Sequence, residues 1–308
     1  MTTNAIQSSH IYSTYFAPRG RSRIYTLGMQ IAQLYLSPFD QIIGFIGEAG
    51  SGKSVLIKGM FPGIELTNDD DGVNVRPLPL LEQEYETGFF TPHTYHLDIR
   101  FETGFHQLSE LADAVRLAVR RGKRIIIEHF DLIYPLLGVN ANLLIGVGEQ
   151  IVITRPNLFG PLPQDLCDIV YPSLAYRLMA HSAEDLCEYA MTQEQMLACS
   201  HGDIRHGFVL EFNEHQPDID IPTLEARVNE LIRADLPIDY YDESHILLGG
   251  AQHYCTGPRT HVRSTGRIIG FRLLDHFIYD HFHKTYMLVG CVGDDSEENI
   301  RKLEKIHG

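Results

Sequence analysis

The sequence predicts two units of different class: an α/β unit over residues 1–160, with a mainly parallel sheet covered by helices on both faces, and an α+β unit over residues 161–308. Three observations predict it. Short apolar runs alternate with helix-periodic segments between residues 24 and 155; Gly-x-x-x-x-Gly-Lys-Ser stands between one such run and a helix; and Pro156, Pro161, Pro163 and Pro172 mark a boundary beyond which the texture changes.

The elements follow in order. Residues 1–22 are polar, with Pro18 and Gly20, and suggest a loose or edge-packed start. Leu27, Ile31 and Leu34 recur at helical spacing up to Ser37-Pro38, which predicts a helix. Gln41 to Ile46 is too short and too apolar for an exposed helix and reads as a buried strand, followed by a helix from Val55 to Met60 that Pro62-Gly63 stops. Tyr95-His96-Leu97-Asp98 predicts a strand, and Leu108, Leu111, Val115 and Val119 form one stripe of a helix whose basic end, Arg120-Arg121-Gly122, suits a C-terminus. Arg124 to Glu128 and Ile151 to Thr154 are two further buried strands, and the set implies a mainly parallel sheet. Residues 156–174 read as the linker. Helical periodicity at 175–196, a strand at Phe208 to Phe212, a helix at about 222–234, β-rich segments to Val292 and a charged helix at about 295–306 complete the second unit.

Composition bounds the function. With 44% hydrophobic and 21% charged residues the chain is of globular type. No apolar run reaches the roughly 18 residues needed to span a bilayer, and Met1 to Gln7 carries no secretory pattern, so no membrane partner and a cytoplasmic address are expected. Cys167, Cys187, Cys199, Cys255 and Cys291 contain no close Cys-x-x-Cys pair and read as free thiols. The net charge of −15 argues against a broadly basic nucleic-acid binder. Of the 40 acidic residues 24 lie after residue 160, so any RNA contact there needs a local basic strip.

Gly47-Glu48-Ala49-Gly50-Ser51-Gly52-Lys53-Ser54 is a complete phosphate-binding loop in its required strand-to-helix context, which makes the first unit an α/β P-loop NTPase domain by expectation. Backbone N–H groups of such a loop converge on phosphate oxygens, and glycines permit the approach. Lys53 then reaches the β/γ-phosphates and the Ser54 hydroxyl ligates Mg²⁺. The ion also needs an acid at a strand end, and Asp98 and Glu128 both qualify; His129 beside Glu128 could help place a water. No Asn-Lys-x-Asp guanine-reading motif is present, so ATP is expected over GTP.

Thr26-Leu27-Gly28, Ile43 to Ser54, Tyr95-His96-Leu97-Asp98-Ile99-Arg100 and Ile125-Ile126-Ile127-Glu128-His129 together resemble the TsaE-type P-loop ATPases of bacterial tRNA threonylcarbamoyladenosine synthesis. The resemblance covers about residues 24–155 and implies that Asp98 and Glu128 serve the Mg-nucleotide, with Lys53, Asp98 and Glu128 as the catalytic set. It lacks that family's Ser-Pro-Thr-Phe segment between the loop and Tyr95.

Three segments of the second half resemble the editing domain of alanyl-tRNA synthetase. They are Phe208 to His215, Leu224 to Pro237 and Thr260 to Phe271, in the family's order over about 65 residues. The resemblance implies an α+β editing-like domain acting on tRNA, an aminoacyl group or an amino acid, with zinc on a His-x-x-x-His helix and a Cys-x-x-x-His loop. Here Arg177 stands where the first of the helix pair, Arg177 and His181, would be a ligand. His261 is kept, the cysteine position falls on Gly257, and Cys255 lies two residues early. His181, Cys255 and His261 are the candidate zinc ligands, in an otherwise degenerate site. The other histidines are scattered, and Phe271 to Leu274 with Tyr286 to Val289 read as β-rich core.

The expected function is a Mg-ATP-dependent ATPase fused to a degenerate editing-like domain that acts on or senses tRNA, an aminoacyl group or an amino acid. Three alternatives stay open: a small-molecule kinase with a base among Asp69, Asp70 and Asp71, a non-catalytic nucleotide-gated binding module, and active deacylation at His181, Cys255 and His261.

Overall fold

The computed structural model describes residues 13–64, 66, 93–213 and 215–307. The chain divides into two units: the described residues up to Ala17 with Ser22–Pro172, and Pro18–Arg21 with the residues from Ser173 onward. The division falls at 172/173 and not at 160/161, and a four-residue piece near the start belongs to the second unit.

The first unit is a six-stranded mixed sheet in the order β1-β6-β5-β2-β4-β3, from β1 (Ser13–Phe16), β2 (Ile42–Ile46), β3 (Thr94–Asp98), β4 (Arg124–Glu128), β5 (Leu143–Val147) and β6 (Gln150–Thr154). Four adjacent strands, β5-β2-β4-β3, are parallel, and every residue of β2 and β5 is buried. That double burial is why Ile42-Ile43-Gly44-Phe45-Ile46 shows no polar alternation. β6 runs antiparallel to β5, and β1 antiparallel to β6. The reason is local: only Gly148 and Glu149 separate β5 from β6, a hairpin length that cannot make a parallel crossover.

Helix α1 (Arg21–Tyr35) buries Ile24, Leu27, Gly28 and Ile31, while Leu34, on the expected stripe, is 67% exposed. It crosses α2 (Lys53–Met60) at two glycines. A Cβ on Gly28 would lie 2.5 Å from Leu56 O, and one on Gly59 would lie 2.2 Å from Tyr25 O, so the backbones touch where any side chain would part them. This contact sets the helix that begins at Lys53 against its neighbour. After β3 come α3 (Ile99–Glu102) and α4 (Leu108–Arg120), and α5 (Phe130–Leu137) follows β4. The expected linker at 156–174 is a linker only in its first part, because α6 (Pro163–Ala190) begins at Pro163. Proline suits a first helical position, where its missing N–H has no intrahelical partner to lose. Leu166, Cys167 and Val170 of α6 join the first core, and Met179, Ala183, Leu186 and Cys187 join the second.

The second unit continues with α7 (Gln193–Ala198), β7 (Cys199–Ile204), β8 (Gly207–Asn213), α8 (Ile221–Arg233), β9 (Ile238–Asp242), β10 (His245–Leu248), β11 (Ala251–Tyr254), β12 (Arg272–Leu273), β13 (Ile278–Asp280), β14 (Thr285–Cys291) and α9 (Ser296–His307). One antiparallel sheet runs β12-β14-β8-β7, with β13 also on β14, and a second runs β11-β10-β9. Phe208, Leu210 and Phe212 of β8 enter the core with Val228 of α8 and Leu288 of β14, while Val209 on the opposite face joins a smaller cluster with Leu274 and Val289, so this antiparallel strand is covered on both sides. No helix among the described residues is long and apolar enough to cross a membrane.

Candidate functional site

Two clusters carry chemistry, one in each unit. In the first, β2 ends at Ile46 and the chain turns through Gly47, Gly50 and Gly52 at φ 153°, 78° and 94°. Gly47 admits no side chain, since a Cβ would lie 2.5 Å from Val147 O; Gly52 leads into α2 in the left-handed region that glycine tolerates. The loop folds around Lys53, whose Nζ donates to Gly47 O at 3.0 Å and Glu48 O at 2.9 Å and lies 3.6 Å from Glu128 Oε2. Ser54 Oγ donates to Glu128 Oε1 at 3.1 Å, and His96 Nε2 is 3.1 Å from the same oxygen.

The register pairs Asp98 with Glu128, so both carboxylates stand at the same level where adjacent parallel strands end. Asp98 Oδ1 accepts from Phe101 N at 3.2 Å and so caps α3. Glu48 is turned to Arg100, 2.8 Å away, in a half-exposed pair. Lys53, Ser54 and Glu128 are thus in contact at one end of the sheet, and strand register sets Asp98 beside Glu128 there. Residues 69–71, the alternative base, lie outside the described residues.

The electrostatics sort the roles. Burial pushes the Glu128 carboxyl up, but the His96 hydrogen bond and the charges of His96 and Lys53 overcome it and hold Glu128 at about 2. A carboxylate that acidic is a poor proton acceptor near neutrality and a good partner for a cation. Burial, then Lys53 and Arg100, lowers His129 to about 4, so its imidazole is neutral in this range. Glu102 on α3 is a group the sequence reading missed. Burial and then the charge of Asp98 raise it to about 7, and its Oε1 has no hydrogen-bond partner among the described residues. Its only sequence signal is a spacing of one helical turn from Asp98.

In the second unit α6 presents His181, Glu184, Asp185 and Glu188, a spacing that places all four on one helix face. Asp185 Oδ2 is 2.6 Å from His261 Nε2, which is 3.7 Å from Cys255 Sγ, and Asp185, Cys255 and His261 can offer ligand atoms within 4.8 Å of one another. Asp185 shares a second such group with Glu188 and His253, and His201 bridges Glu184 and Glu188 at 3.0 and 3.1 Å. Of the three expected zinc ligands, Cys255 and His261 are brought together. The third member of their group is Asp185, one helical turn after His181, whose own Nε2 lies 3.8 Å from Asp203 Oδ1. His181-Ser182-Ala183-Glu184-Asp185 was the signal, an i, i+4 pair of ligand types. Arg177 is turned to Pro18 O at 3.5 Å.

The occupant of this cluster comes from the other end of the sequence. Arg19, 1% exposed, pairs with Glu184 and Asp185, and its Nη2 donates to Cys255 Sγ at 3.1 Å. Burial opposes the charge of Arg19, but Glu184, Cys255 and Glu188 together outweigh it. Burial lowers His181 and His253 to about 4 and His261 to about 3, with Arg19 adding to each, so all three imidazoles are neutral. As arranged, the residues do not fit a zinc ion. A dication on Asp185 and Cys255 would strip the buried guanidinium of its counter-charges and lie beside it.

No protein-family model matches the chain, and no curated protein matches it. Among solved structures, an amino transferase from Eubacterium rectale aligns with 74% of this chain and 67% of its own, at 13% identity and a TM-score of 0.23. A likeness that slight carries no argument about fold or function.

Proposed function

We propose that the first unit is a P-loop ATPase domain that binds Mg-ATP at Gly47 to Ser54, and that the second is a degenerate alanyl-tRNA editing-like domain that acts on or senses tRNA, an aminoacyl group or an amino acid. The observation that carries the nucleotide reading is the setting of Lys53: a buried ammonium bonded to two neutral carbonyls of its own glycine loop, at the start of a helix. Phosphate oxygens are stronger acceptors than carbonyls for that ammonium, and α2 adds the positive end of its dipole. Ser54, Asp98 and Glu128 would hold Mg²⁺, which supplies charge neutralisation at the phosphates. Glu102, one helical turn from Asp98, has its carboxyl raised to about 7 by burial, and in this reading it would take the proton of an attacking water near neutral pH. The second unit's role rests on its sequence resemblance alone.

Calorimetric titration with Mg-ATP tests the site. Lys53→Ala is expected to weaken binding by about 100-fold, the worth of a charged hydrogen-bond donor. Parent-like affinity in that variant would remove the assignment.

A further inference from the structure

The second unit holds its acids, imidazoles and a thiol around a cation that the chain itself supplies. Pro18–Arg21 is counted with that unit, although more than 150 residues of sequence intervene. The segment is fitted closely. Gly20, at φ 84°, lies so near Thr256 that a Cβ would be 2.9 Å from its carbonyl oxygen. Gly257 leaves room for the arginine stem, since a Cβ there would meet Arg19 Cγ at 3.1 Å. Arg21 reaches Glu243 at 3.2 Å. The guanidinium then ends among Glu184, Asp185 and Cys255, with His261 on the other oxygen of Asp185.

We propose that Arg19 is the resident cation of this cluster, standing where a divalent metal ion would, and that its removal turns Asp185, Cys255 and His261 into a zinc site. A buried carboxylate group needs a counter-charge, and either a guanidinium or a dication supplies it. Asp185, Cys255 and His261 are a carboxylate, a thiol and an imidazole within mutual reach of one ion, the donor types that zinc takes, leaving a fourth position for water. Truncating Arg19 takes away the competing charge and opens the volume beside Gly257. Zinc binding to Cys255 then releases the thiol proton to solvent, and no oxidant or reductant is involved.

The test uses the whole chain purified from zinc-supplemented medium, with metal content and Co²⁺ absorption as readouts. The parent is expected to carry less than about a tenth of an equivalent of zinc, and Arg19→Ala about one equivalent. Co²⁺ should give Arg19→Ala a thiolate charge-transfer band that is lost in Arg19→Ala/Cys255→Ser. Arg19→Lys, which keeps the charge, should stay metal-poor. If Arg19→Ala unfolds without metal, the same exchange predicts that Zn²⁺ restores its thermal transition and that Cys255→Ser abolishes the rescue. About one equivalent of zinc in the parent, a folded Arg19→Ala that binds none, or an unfolded one that zinc does not rescue would each overturn the proposal.

Discussion

Lys53 and Arg19 are both buried cations, one in each unit, and their partners are of opposite kind. Lys53 is bonded to two backbone carbonyls, with its nearest carboxylate oxygen 3.6 Å away. Arg19 is paired with Glu184 and Asp185 and donates to a thiol. A cation held by neutral dipoles still has charge to offer, and an anion can displace them. One enclosed by carboxylates has none to offer, and its value is to the fold. On the function proposed above, the difference separates a site that would receive a phosphate from one already filled.

The sharpest way to break that contrast is to remove a partner of Arg19. Asp185→Asn leaves the guanidinium buried with Glu184 as its remaining close carboxylate and deprives His261 of its 2.6 Å acceptor charge. The expected loss is about 3–5 kcal/mol of unfolding free energy, the usual penalty for breaking a buried ion pair from one side. Guanidinium unfolding followed by circular dichroism measures it. A shift within error of the parent would mean that the cluster is not a charge-balanced unit.

The first unit should respond through function more than through stability. Glu128→Gln keeps the shape at the end of β4 but removes the charge that Ser54, His96 and Lys53 face. Hydrolysis of ATP is expected to fall by about 100-fold, the scale for losing one preorganised electrostatic partner, with nucleotide still bound. Unchanged turnover would confine Glu128 to positioning Lys53 in the free protein.

These two sites were unequally legible in the sequence. The loop could be read because all eight of its residues are contiguous and its glycines answer a local demand, positive φ and a close approach to Val147. Asp98 and Glu128 could be read because each ends an apolar run, and strand pairing places them side by side. β5 was missed: Leu143 to Val147 is an apolar run like the others, yet nothing in it announces a strand that turns back at Gly148. The expected mainly parallel sheet stops short of β6 for the same reason, because strand direction there depends on that two-residue turn. Arg19 was beyond reach. Its partners are about 165 and 236 positions away along the chain, and an arginine near a polar start looks like any solvated charge.

Glu102 gives the smallest and most diagnostic effect, because it is a buried carboxyl in the first unit with no cation bound to it among the described residues. Its folded pKa of about 7 lies above the ordinary glutamate value of 4.5, burial being the main cause and Asp98 the second. Between those two values the folded state binds more protons than the unfolded one, so stability falls as pH rises through that window, and the full penalty is present above it. Glu102→Gln removes the titration and keeps the volume. The variant should therefore match the parent near pH 4 and exceed it by about 1–2 kcal/mol near pH 8, once screening is allowed for. Unfolding curves at a series of pH values read the difference directly, and a gap that is flat with pH would mean that the carboxyl is neutral throughout or already paired. If the gap opens as expected, hydrolysis by the parent should rise over the same window, because the group that destabilises the fold when ionised is then the one free to take a proton.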